Sequence, residues 1–425
     1  MNLLFVVPYV PNPIRVRPYA LLRTLAGRGH RITLATLYQS VQEQADLAIL
    51  ADLGITIHAS PLPKRRALWN SALAVPTRAP IQASYCWQPT LVRTLAQLLQ
   101  TEPFDAIHVE HLRGARYGLF LREQLRNLPI HRGSDETHPN RPPIIWDSVD
   151  CISHLFAQAA QRSRSLSGRV MTKFELPRTQ RYERWLLDQF EQVLVTSIAD
   201  QQAFLALAHG HRSATTDPHP QDNAPFVLPN GVDLTGCGRS PHQRTEEHDP
   251  AASDQIHTAP TVVFSGKMSY HANVSAALYL VQDIMPHVWA RHPDVAVQIV
   301  GKDPPSQVRA LATHTADSHG TEKRRVEVTG TVPDIRPYLQ QATVAAAPLL
   351  YGAGIQNKIL EAMACGTPVV TTGRATNGIR ATADREFLVA DTAEGFAEAL
   401  CTLLRNPAQR AQVGQAGRAY VEREH

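Results

Sequence analysis

The sequence has 425 residues, more than one hydrophobic core usually supports, and this length predicts two domains of about 200 residues each. Hydrophobic residues make up 43% of the chain and charged residues 19%, a balance that excludes disorder as its main state. Lysine and arginine together number 42, and aspartate and glutamate number 38. Because this excess of four charges is small, we expect no nucleic-acid partner.

The cysteines and the first residues indicate the compartment. The five cysteines show no C-x-x-C spacing, so neither a disulfide framework nor a zinc site is indicated and a reducing, cytoplasmic location fits best. The apolar start, Leu3 to Val7, lacks a basic region before it and is followed by Pro8, so it is typical of a strand rather than a signal peptide. We find no apolar run of membrane-spanning length.

Strand and helix patterns alternate through the first half of the chain. A buried strand at Leu3–Val7 precedes a helical pattern at Pro18–Arg28, which Gly29 closes. Further strands are predicted at four places: Ile32–Leu37, Phe104–Val109, Ile144–Asp147 and Val193–Ser197. This alternation predicts a doubly wound α/β sheet and a first domain over residues 1–208.

A polar, variable junction at 209–260 separates two similar halves. It contains Phe226 to Leu234, which we assign as the start of the second domain. The second strand and helix series covers 261–405, with strands predicted at Thr261–Ser265, Val295–Gly301, Val326–Thr329 and Thr343–Pro348. Residues 406–425 are predicted to form a C-terminal helix, a shortened return to the first domain or the end of a fragment.

The most informative stretch is PLLYGAGIQNKILEAMACGTPVVTT, residues 348–372. A strand ends at Pro348, a glycine-containing loop follows, and a helix with Ile359, Leu360 and Met363 on its core-facing side begins at about Ile355. Such a loop and helix N-terminus present backbone N–H groups to an anion, as phosphates require. From spacing alone, a plain turn that needs its glycines only for geometry is equally compatible.

This stretch resembles the signature of the retaining GT-B glycosyltransferases of family 4, the glycosyl transferases group 1. Other segments are similar to that family in the same order: RPYALLRTLAGRGHRITLATL, DAIHVEHL, VLPNGVDL, FSGKMSYHANV and VEVTGTVPDIRPYL. The resemblance covers nearly the whole chain. It implies a GT-B architecture, in which two Rossmann-like doubly wound domains face a central cleft.

The resemblance implies roles for several residues in binding a nucleotide sugar. Glu361 matches the glutamate that accepts hydrogen bonds from the ribose, and Lys358 would meet the diphosphate. Backbone amides of the following residues would contact the diphosphate or the sugar: Gly352, Gly354 and Ile355. The family's other glutamate is Ala353 here, which leaves the donor sugar open.

In FSGKMSYHANV, Lys267 matches a basic residue of the family, while Ala272 replaces its usual lysine. Lys267 is either a phosphate contact or a solvated loop lysine. DAIHVEHL ends a strand where doubly wound folds bind ligands, and relatives carry a histidine at the position of Glu110. We therefore take His111 and Glu110 as the catalytic candidates and favour His111, with a structural histidine as the alternative.

Residues near the N-terminus replace the family's common Gly-Gly loop. The resemblance implies that Asn12, Arg15 and Arg17 lie beside the acceptor or the phosphates, against the alternative of surface arginines before a helix. WDSVDCIS ends another strand, and Asp150 is a candidate acceptor contact.

Two basic clusters remain, at Lys64 to Arg66 before Trp69 and at Arg162 to Arg184 before Trp185. They suit either anionic lipid headgroups at the inner face of the plasma membrane or an ordinary solvated helix face.

Absent motifs narrow the function. The sequence has no G-x-G-x-x-G, G-x-x-x-x-G-K-[ST], H-E-x-x-H or D-x-D, which disfavours dehydrogenases, P-loop enzymes, zincins and metal-dependent transferases. The resemblance implies a metal-independent, cofactor-free transfer of sugar from a nucleotide diphosphate to a cell-envelope glycan or lipid-linked acceptor, with retention of configuration. A non-catalytic nucleotide-sugar-binding subunit and a sugar-nucleotide epimerase of the same fold are the alternatives.

Overall fold

The computed structural model describes residues 1–12, 15–127, 141–162, 166–209, 224–234, 236–237, 259–316, 322–352 and 355–425. They form two compact units. The first contains Met1–Ala160 and Val170–Pro229, and the second contains Gln161–Arg169 and Asn230–His425.

The first unit is built on a seven-stranded sheet in which every pair of neighbouring strands is parallel. Its strands are β1 (Asn2–Val7), β2 (Arg31–Tyr38), β3 (Thr56–Pro61), β4 (Ala106–Glu110), β5 (Ile144–Val149), β6 (Gln192–Val195) and β7 (Phe226–Val227). The spatial order is β3-β2-β1-β4-β5-β6-β7, so the chain reverses direction across the sheet between β1 and β4.

Helices connect these strands. They are α1 (Val16–Gly27), α2 (Val41–Ala51), α3 (Lys64–Ala74), α4 (Ile81–Tyr85), α5 (Pro89–Thr101), α6 (His111–Asn127), α7 (Ile152–Arg162), α8 (Leu166–Leu187) and α9 (Ile198–His209). Leu4 and Val6 of β1 belong to one apolar cluster, whereas Phe5 and Val7 belong to another. Both faces of β1 are therefore buried, as its unalternated apolar sequence predicts.

The second unit repeats the same plan. Its strands are β8 (Thr261–Ser265), β9 (Ala296–Val300), β10 (Thr313–Ala316), β11 (Glu322–Gly330), β12 (Val344–Ala347), β13 (Val369–Thr371) and β14 (Leu388–Val389). The spatial order is β10-β11-β9-β8-β12-β13-β14, with the reversal between β8 and β12. Only β10 runs antiparallel to its neighbour among the described strands of this sheet.

The helices of this unit are α10 (His271–Tyr279), a π-helical segment (Leu280–Ile284), α11 (Met285–Trp289), α12 (Ser306–Arg309), α13 (Arg336–Gln341), α14 (Asn357–Ala364), α15 (Ala393–Arg405) and α16 (Pro407–Glu424). Close approach of backbones fixes α16 against the end of α14, because a Cβ atom added to Gly414 would lie 2.3 Å from the carbonyl oxygen of Gly366. The predicted C-terminal helix is therefore present, and it packs within the second unit.

The α/β class with two doubly wound parallel sheets is confirmed, and each predicted strand corresponds to a strand of the structure. One boundary differs. Phe226–Val227 pairs with β6 as the last strand of the first sheet, and the division between the units falls after Pro229. The segment from Phe226 was assigned to the second domain because the polar residues before it resemble a linker, but its backbone completes the first sheet.

Three glycines end three neighbouring strands of the second sheet. Gly266, Gly301 and Gly330 follow or end β8, β9 and β11, with φ values of 147°, 151° and 71°. A Cβ atom on Gly301 would lie 1.7 Å from the carbonyl oxygen of Gly266, a distance that no side chain can occupy. At the carboxyl edge of this sheet, three neighbouring strands thus end in backbone without side chains.

We predict that Gly301→Ala lowers the free energy of unfolding of the second unit by about 2 kcal/mol or more, because it adds a clash to an unfavourable φ. Chemical denaturation followed by circular dichroism measures this loss. The control is Gly27→Ala at the end of α1, where a Cβ atom meets nothing within 4 Å and stability should hardly change. Equal stability of the two variants would contradict the close approach.

Candidate active site

Both sheets place polar residues at the carboxyl ends of the two strands that flank the reversal in strand order. In the first sheet these are the segments after β1 and β4, and in the second the segments after β8 and β12. Connections leave such neighbouring strands toward opposite faces, which opens a crevice where doubly wound folds bind ligands.

In the second unit, Lys358 lies in the first turn of α14, over the end of β8. Its Nζ donates to Oδ1 of Asn273 at 2.5 Å and lies 5.1 Å from the centre of the Phe264 ring. Burial lowers the pKa of Lys358 to about 8, although Glu361 opposes this shift. An ammonium at a helix N-terminus is unfavourable by itself, so the arrangement suits a lysine that meets an anion.

Glu361 lies one turn further along α14. Burial raises its pKa to about 7, and the neighbouring Lys358 lowers it only in part. Among the described residues, no side-chain hydrogen bond or ion pair within 4 Å engages its carboxylate, which keeps all its acceptor capacity. The predicted pair is thus electrostatically coupled, with a lysine and a carboxylate both close to their titration points near neutral pH.

The loop between β12 and α14 is fixed by a buried tyrosine. The Tyr351 hydroxyl bonds with Nδ1 of His271 at 2.8 Å, and the two rings stack at 5.3 Å. Gly352 follows, while Gly354 lies outside the described residues. The side chain of Ile355 is buried, and α14 begins at Asn357 rather than at Ile355 as predicted. The side chain of its N-cap residue, Gln356, makes no capping hydrogen bond, and the N–H of Ile359 in the first turn donates to the Gln356 carbonyl oxygen at 2.9 Å.

Lys267 is exposed, and its backbone carbonyl accepts a hydrogen bond from Asn273 at 2.9 Å. Asn273 therefore connects the Lys267 loop to Lys358. The sequence analysis did not single out Asn273, because the family resemblance expects a lysine at the preceding position, Ala272, which is buried here. The sequence did offer a signal for Asn273, since it is a polar residue near the start of the helix that follows the Gly266 loop.

In the first unit, the corresponding position is filled by a buried carboxyl group. The Tyr9 hydroxyl, after β1, donates to Oε1 of Glu110, at the end of β4, at 2.6 Å. Glu110 is 1% exposed, and its Oε2 has no hydrogen-bond partner within the described part of the chain. Burial raises the pKa of Glu110 to about 8, with a further contribution from Asp147. Glu110 is thus protonated at neutral pH.

Asp147, on β5, forms an ion pair with one residue of this cluster and lies close to a histidine. Arg17 donates through Nε to Oδ2 of Asp147 at 2.8 Å and through Nη1 to the carbonyl oxygen of Leu228 at 2.8 Å. His108 stacks on Phe5 and approaches Asp147 at 3.7 Å. Burial lowers the pKa of His108 to about 4, so it is neutral. Arg17 is therefore a buried ion-pair partner rather than a surface arginine.

His111 follows Glu110 and begins α6 with a positive φ of 64°. Its ring lies edge-on to Tyr9, with centroids 6.5 Å apart, and its Nδ1 accepts from the backbone N–H of Arg113 at 3.3 Å. Burial lowers the pKa of His111 to about 3. His111 is only partly exposed, whereas Glu110 is enclosed, so of the two candidates His111 is the one that a ligand can contact directly.

Asn12 and Arg15 are held by α2. Asn12 donates to Asp46 at 3.0 Å, and Arg15 forms an ion pair with Glu43 at 3.0 Å while its guanidinium lies 4.7 Å from the centre of the Tyr9 ring. Both residues therefore hold the segment after β1 against α2, and Arg15 also contacts the ring of Tyr9.

Asp150 lies after β5 in a cluster of internal carboxylates. Its Oδ1 accepts from the Thr196 hydroxyl at 3.3 Å, and burial, with Asp200 nearby, raises the pKa of Asp150 to about 7. The next helix, α7, has its first N–H groups occupied: Glu183 accepts from Ile152 at 2.8 Å and from Ser153 at 3.0 Å. The anion position at this helix end is thus filled by the protein's own carboxylate.

Neither the cavity described next nor a cluster of metal ligands coincides with the candidate site among the described residues. A cavity of about 380 Å³ lies beside the start of β5, lined by residues such as Arg122, Arg126 and Glu191, at the opposite edge of the sheet from the candidate site. The described residues contain no group of three or more histidines, cysteines or carboxylates arranged around a metal position.

Comparisons with known proteins find relatives among glycosyltransferases. Residues 259–406 match the family model of glycosyl transferases group 1. The chain is 30% identical over 202 residues to the phosphatidyl-myo-inositol mannosyltransferase of Mycolicibacterium smegmatis, covering 47% of each chain. It is 33% identical over 151 residues to a GDP-mannose-dependent phosphatidylinositol monomannoside mannosyltransferase of Corynebacterium glutamicum, covering 33% of this chain and 38% of that one. The alignments thus span about half or less of these relatives' length.

Solved structures extend the similarity of fold to nearly the whole chain. The Anabaena protein HepE, solved with UDP-glucose, matches with a TM-score of 0.61 at 14% identity, covering 99% of this chain and 94% of that chain. Sucrose-phosphate synthase of Thermosynechococcus elongatus matches with a TM-score of 0.62 at 16% identity, with the same coverage. The chain therefore has the GT-B fold, and its residues 259–406 match the glycosyl transferases group 1.

Proposed function

We propose that this protein is a glycosyltransferase that moves a sugar from a nucleotide diphosphate to a cell-envelope glycan or lipid-linked acceptor, with retention of anomeric configuration. The observation that carries the proposal is the uncapped N-terminus of α14, with Lys358 and the unengaged carboxylate of Glu361 on successive turns. A helix N-terminus and an ammonium suit a diphosphate, and a carboxylate one turn away suits ribose hydroxyls.

The chemistry required is substitution at the anomeric carbon. The acceptor hydroxyl oxygen forms the new bond to that carbon while the bond to the diphosphate oxygen breaks, and the hydroxyl proton leaves with the diphosphate. Negative charge develops on the leaving group, where the first N–H groups of α14 and Lys358 stabilise it without reorganisation. We propose that this stabilisation replaces a metal ion.

We assign His111 as the residue that touches the reacting sugar. Its neutral ring is held by Arg113 and Tyr9, and Tyr9 in turn is held by Glu110. Glu110 is a positioning residue in this proposal, since its carboxyl group is enclosed and reaches the site only through Tyr9.

Relatives indicate the class of substrate. The Corynebacterium glutamicum relative is GDP-mannose-dependent and acts on a phosphatidylinositol monomannoside, and HepE was solved with UDP-glucose. We therefore propose a lipid-linked acceptor, with mannose and glucose nucleotides as the first donors to test.

An exposed apolar surface on the first unit is compatible with a lipid-linked acceptor. Large apolar side chains of α3 and α8 are exposed there: Leu68, Trp69, Leu73, Val170, Met171 and Phe174. Lys64 and Arg65 are exposed beside the first three. The two helices are joined by Arg178, which is buried and donates to the carbonyl oxygens of Ala74, Thr77 and Ala79.

Arg178, predicted as part of a basic surface cluster, is therefore buried. Arg164 and the side chain of Arg169, two other members of that cluster, lie outside the described residues. Within the described part of the chain, no helix is both long and apolar enough to cross a membrane. Exposed apolar residues next to lysine and arginine suit peripheral contact with anionic lipid, and we propose this contact for the α3–α8 surface.

The donor site is tested by calorimetry with a nucleoside diphosphate and with inorganic pyrophosphate. We expect Lys358→Ala to weaken both ligands at least tenfold, since a charge-assisted contact contributes about 1.5–3 kcal/mol. Glu361→Gln should weaken the nucleoside diphosphate and leave pyrophosphate unchanged, because pyrophosphate has no ribose. The control Glu394→Gln, at the exposed start of α15, should change neither. Parent-like affinity in both site variants would rule out this donor site.

The same titrations carry a pH signature. Affinity for the nucleoside diphosphate should fall above pH 8, where Lys358 loses its proton, and below pH 7, where Glu361 gains one. Lys358→Ala should lack the alkaline limb. An acid limb that persists in Glu361→Gln would belong to the ligand's own phosphate.

Transfer is tested by mass spectrometry of products from a screen of nucleotide sugars that includes GDP-mannose and UDP-glucose, with envelope lipid extract as acceptor. We expect transfer that survives a metal chelator. His111→Ala should lower kcat by a factor of about 10²–10⁴ with donor affinity nearly unchanged. The surface control His287→Ala on α11 should retain activity.

Three outcomes would count against this assignment. Donor binding without transfer or hydrolysis would indicate a binding subunit, and free sugar as the sole product would indicate an epimerase. Full activity of His111→Ala with loss in Glu110→Gln would move the catalytic role to Glu110.

Membrane contact is tested by sedimentation with vesicles that contain an anionic phospholipid. We expect binding that weakens with added salt and that Trp69→Ser reduces about tenfold. Val41→Ser, which changes an exposed apolar residue on a different helix, α2, is the control. Lack of binding at low salt, or equal loss in both variants, would refute the α3–α8 surface.

A further inference from the structure

Two of the five cysteines meet in the second unit. The Sγ atoms of Cys237 and Cys365 lie 3.0 Å apart, both side chains are buried, and both are free thiols. They are separated by 128 positions in the sequence. Their approach is therefore a product of the fold, which no cysteine spacing in the sequence indicates.

The two thiols lie at the C-terminal end of α14. Asn230 donates to Oδ1 of Asn357, the first residue of α14, at 2.9 Å. Cys237 contacts Cys365, the C-cap residue of the same helix. Asn230 and Cys237 thus contact opposite ends of α14, the helix that carries Lys358 and Glu361.

Side chains of α16 and α13 hold the backbone near the contact between the two thiols. Arg418 of α16 donates through Nη1 to the carbonyl oxygens of Cys237 and Ala364. Gln340 of α13 donates to the carbonyl oxygen of Gly236 at 3.0 Å. Because backbone groups next to both thiols are fixed by α13 and α16, the sulfur atoms stay close without a bond between them.

The two thiols differ in acidity. The hydrogen bond from Cys365 lowers the pKa of Cys237, with further contributions from Arg336 and Arg418, whereas the same contact raises the pKa of Cys365. A thiolate is the nucleophile in oxidation. Cys237 is therefore the sulfur that reacts first and Cys365 the one that resolves.

We infer that Cys237 and Cys365 form a reversible disulfide when the protein meets a peroxide, and that this bond fixes Cys237 at the C-terminal end of α14. The inference is independent of the sugar transfer proposed above, since it concerns the covalent state of the second unit alone.

The reaction balances with one peroxide for each disulfide. The Cys237 thiolate attacks one oxygen of hydrogen peroxide, the O–O bond breaks, and a sulfenic acid forms with release of hydroxide, which takes up a proton to give water. Cys365 sulfur then attacks the sulfenic sulfur, the S–S bond forms, and the hydroxyl leaves as a second water with the thiol proton. Two thiols are oxidised, and the peroxide is reduced to two waters. A dithiol reverses the step by exchange.

The other cysteines provide an internal comparison. Cys86, Cys151 and Cys401 are buried, and none contacts another cysteine among the described residues. Burial raises the pKa of each of these three thiols, that of Cys86 to about 11. They should therefore resist oxidation under conditions that oxidise the pair.

The test treats the folded protein with hydrogen peroxide, blocks remaining thiols with an alkylating agent after denaturation, and maps the peptides by mass spectrometry. We expect one cross-linked peptide pair that joins Cys237 to Cys365 with loss of two hydrogens, reversed by dithiothreitol. The other three cysteines should be alkylated. Circular dichroism before and after treatment confirms that the reaction occurred in the folded state.

Single variants separate the two roles. In Cys365→Ser, Cys237 should remain as a sulfenic acid that dimedone traps, and in Cys237→Ser, Cys365 should remain a thiol. Absence of the cross-link in the parent protein, or equal oxidation of all five cysteines, would overturn the inference.

Hydrogen exchange tests the consequence for α14. Oxidation should slow exchange of the α14 backbone amides by at least about tenfold, because a disulfide removes conformations from the opened state. Cys237→Ser with the same treatment should show no change. A cross-link that forms without slower exchange would show that the bond does not fix the helix.

Discussion

The reversal of strand order in each sheet is the constraint on which the candidate site depends. Between β1 and β4, and again between β8 and β12, successive connections leave toward opposite faces of the sheet. The backbone cannot fill the space that this opens, so side chains or a ligand must do so. In the first unit Tyr9 and Glu110 meet across this space, and in the second Lys358 reaches over β8 to Asn273. Residues more than eighty positions apart become neighbours at both places.

The two reversals are nevertheless filled differently. The first holds a connected set of buried polar groups, in which Arg17 neutralises Asp147 and Tyr9 donates to a protonated Glu110. Replacement of such a set by apolar residues is often neutral or stabilising, so its presence indicates a role in positioning rather than in stability. The second holds bare backbone at Gly266 and Gly301 and a helix end without a cap. Bare backbone and a lysine at a helix N-terminus support our proposal that a charged ligand binds on this side.

Sequence predicted the strands well because buried parallel strands are continuous apolar runs, such as Leu3 to Val7. Lys358 and Glu361 were proposed from the resemblance to the family, and the structure places both on one short helix, α14. The sequence did not predict the Arg17–Asp147 pair or the contact of Asn273 with Lys358, because these depend on which loops the topology brings together. The two-residue strand β7 was misassigned for a related reason: pairing with β6, not its own pattern, makes it part of the first sheet.

The carboxylate of Glu183 at the start of α7 has a consequence for where a nucleotide can bind. Every helix that follows a parallel strand offers an attractive end to phosphate, so a protein with two such sheets has two potential docking places for one nucleotide. At α7 the Glu183 carboxyl group already accepts from the first N–H groups, so this helix end is closed to a phosphate. Under the proposed function, the end of α14 is then the place where a nucleotide docks.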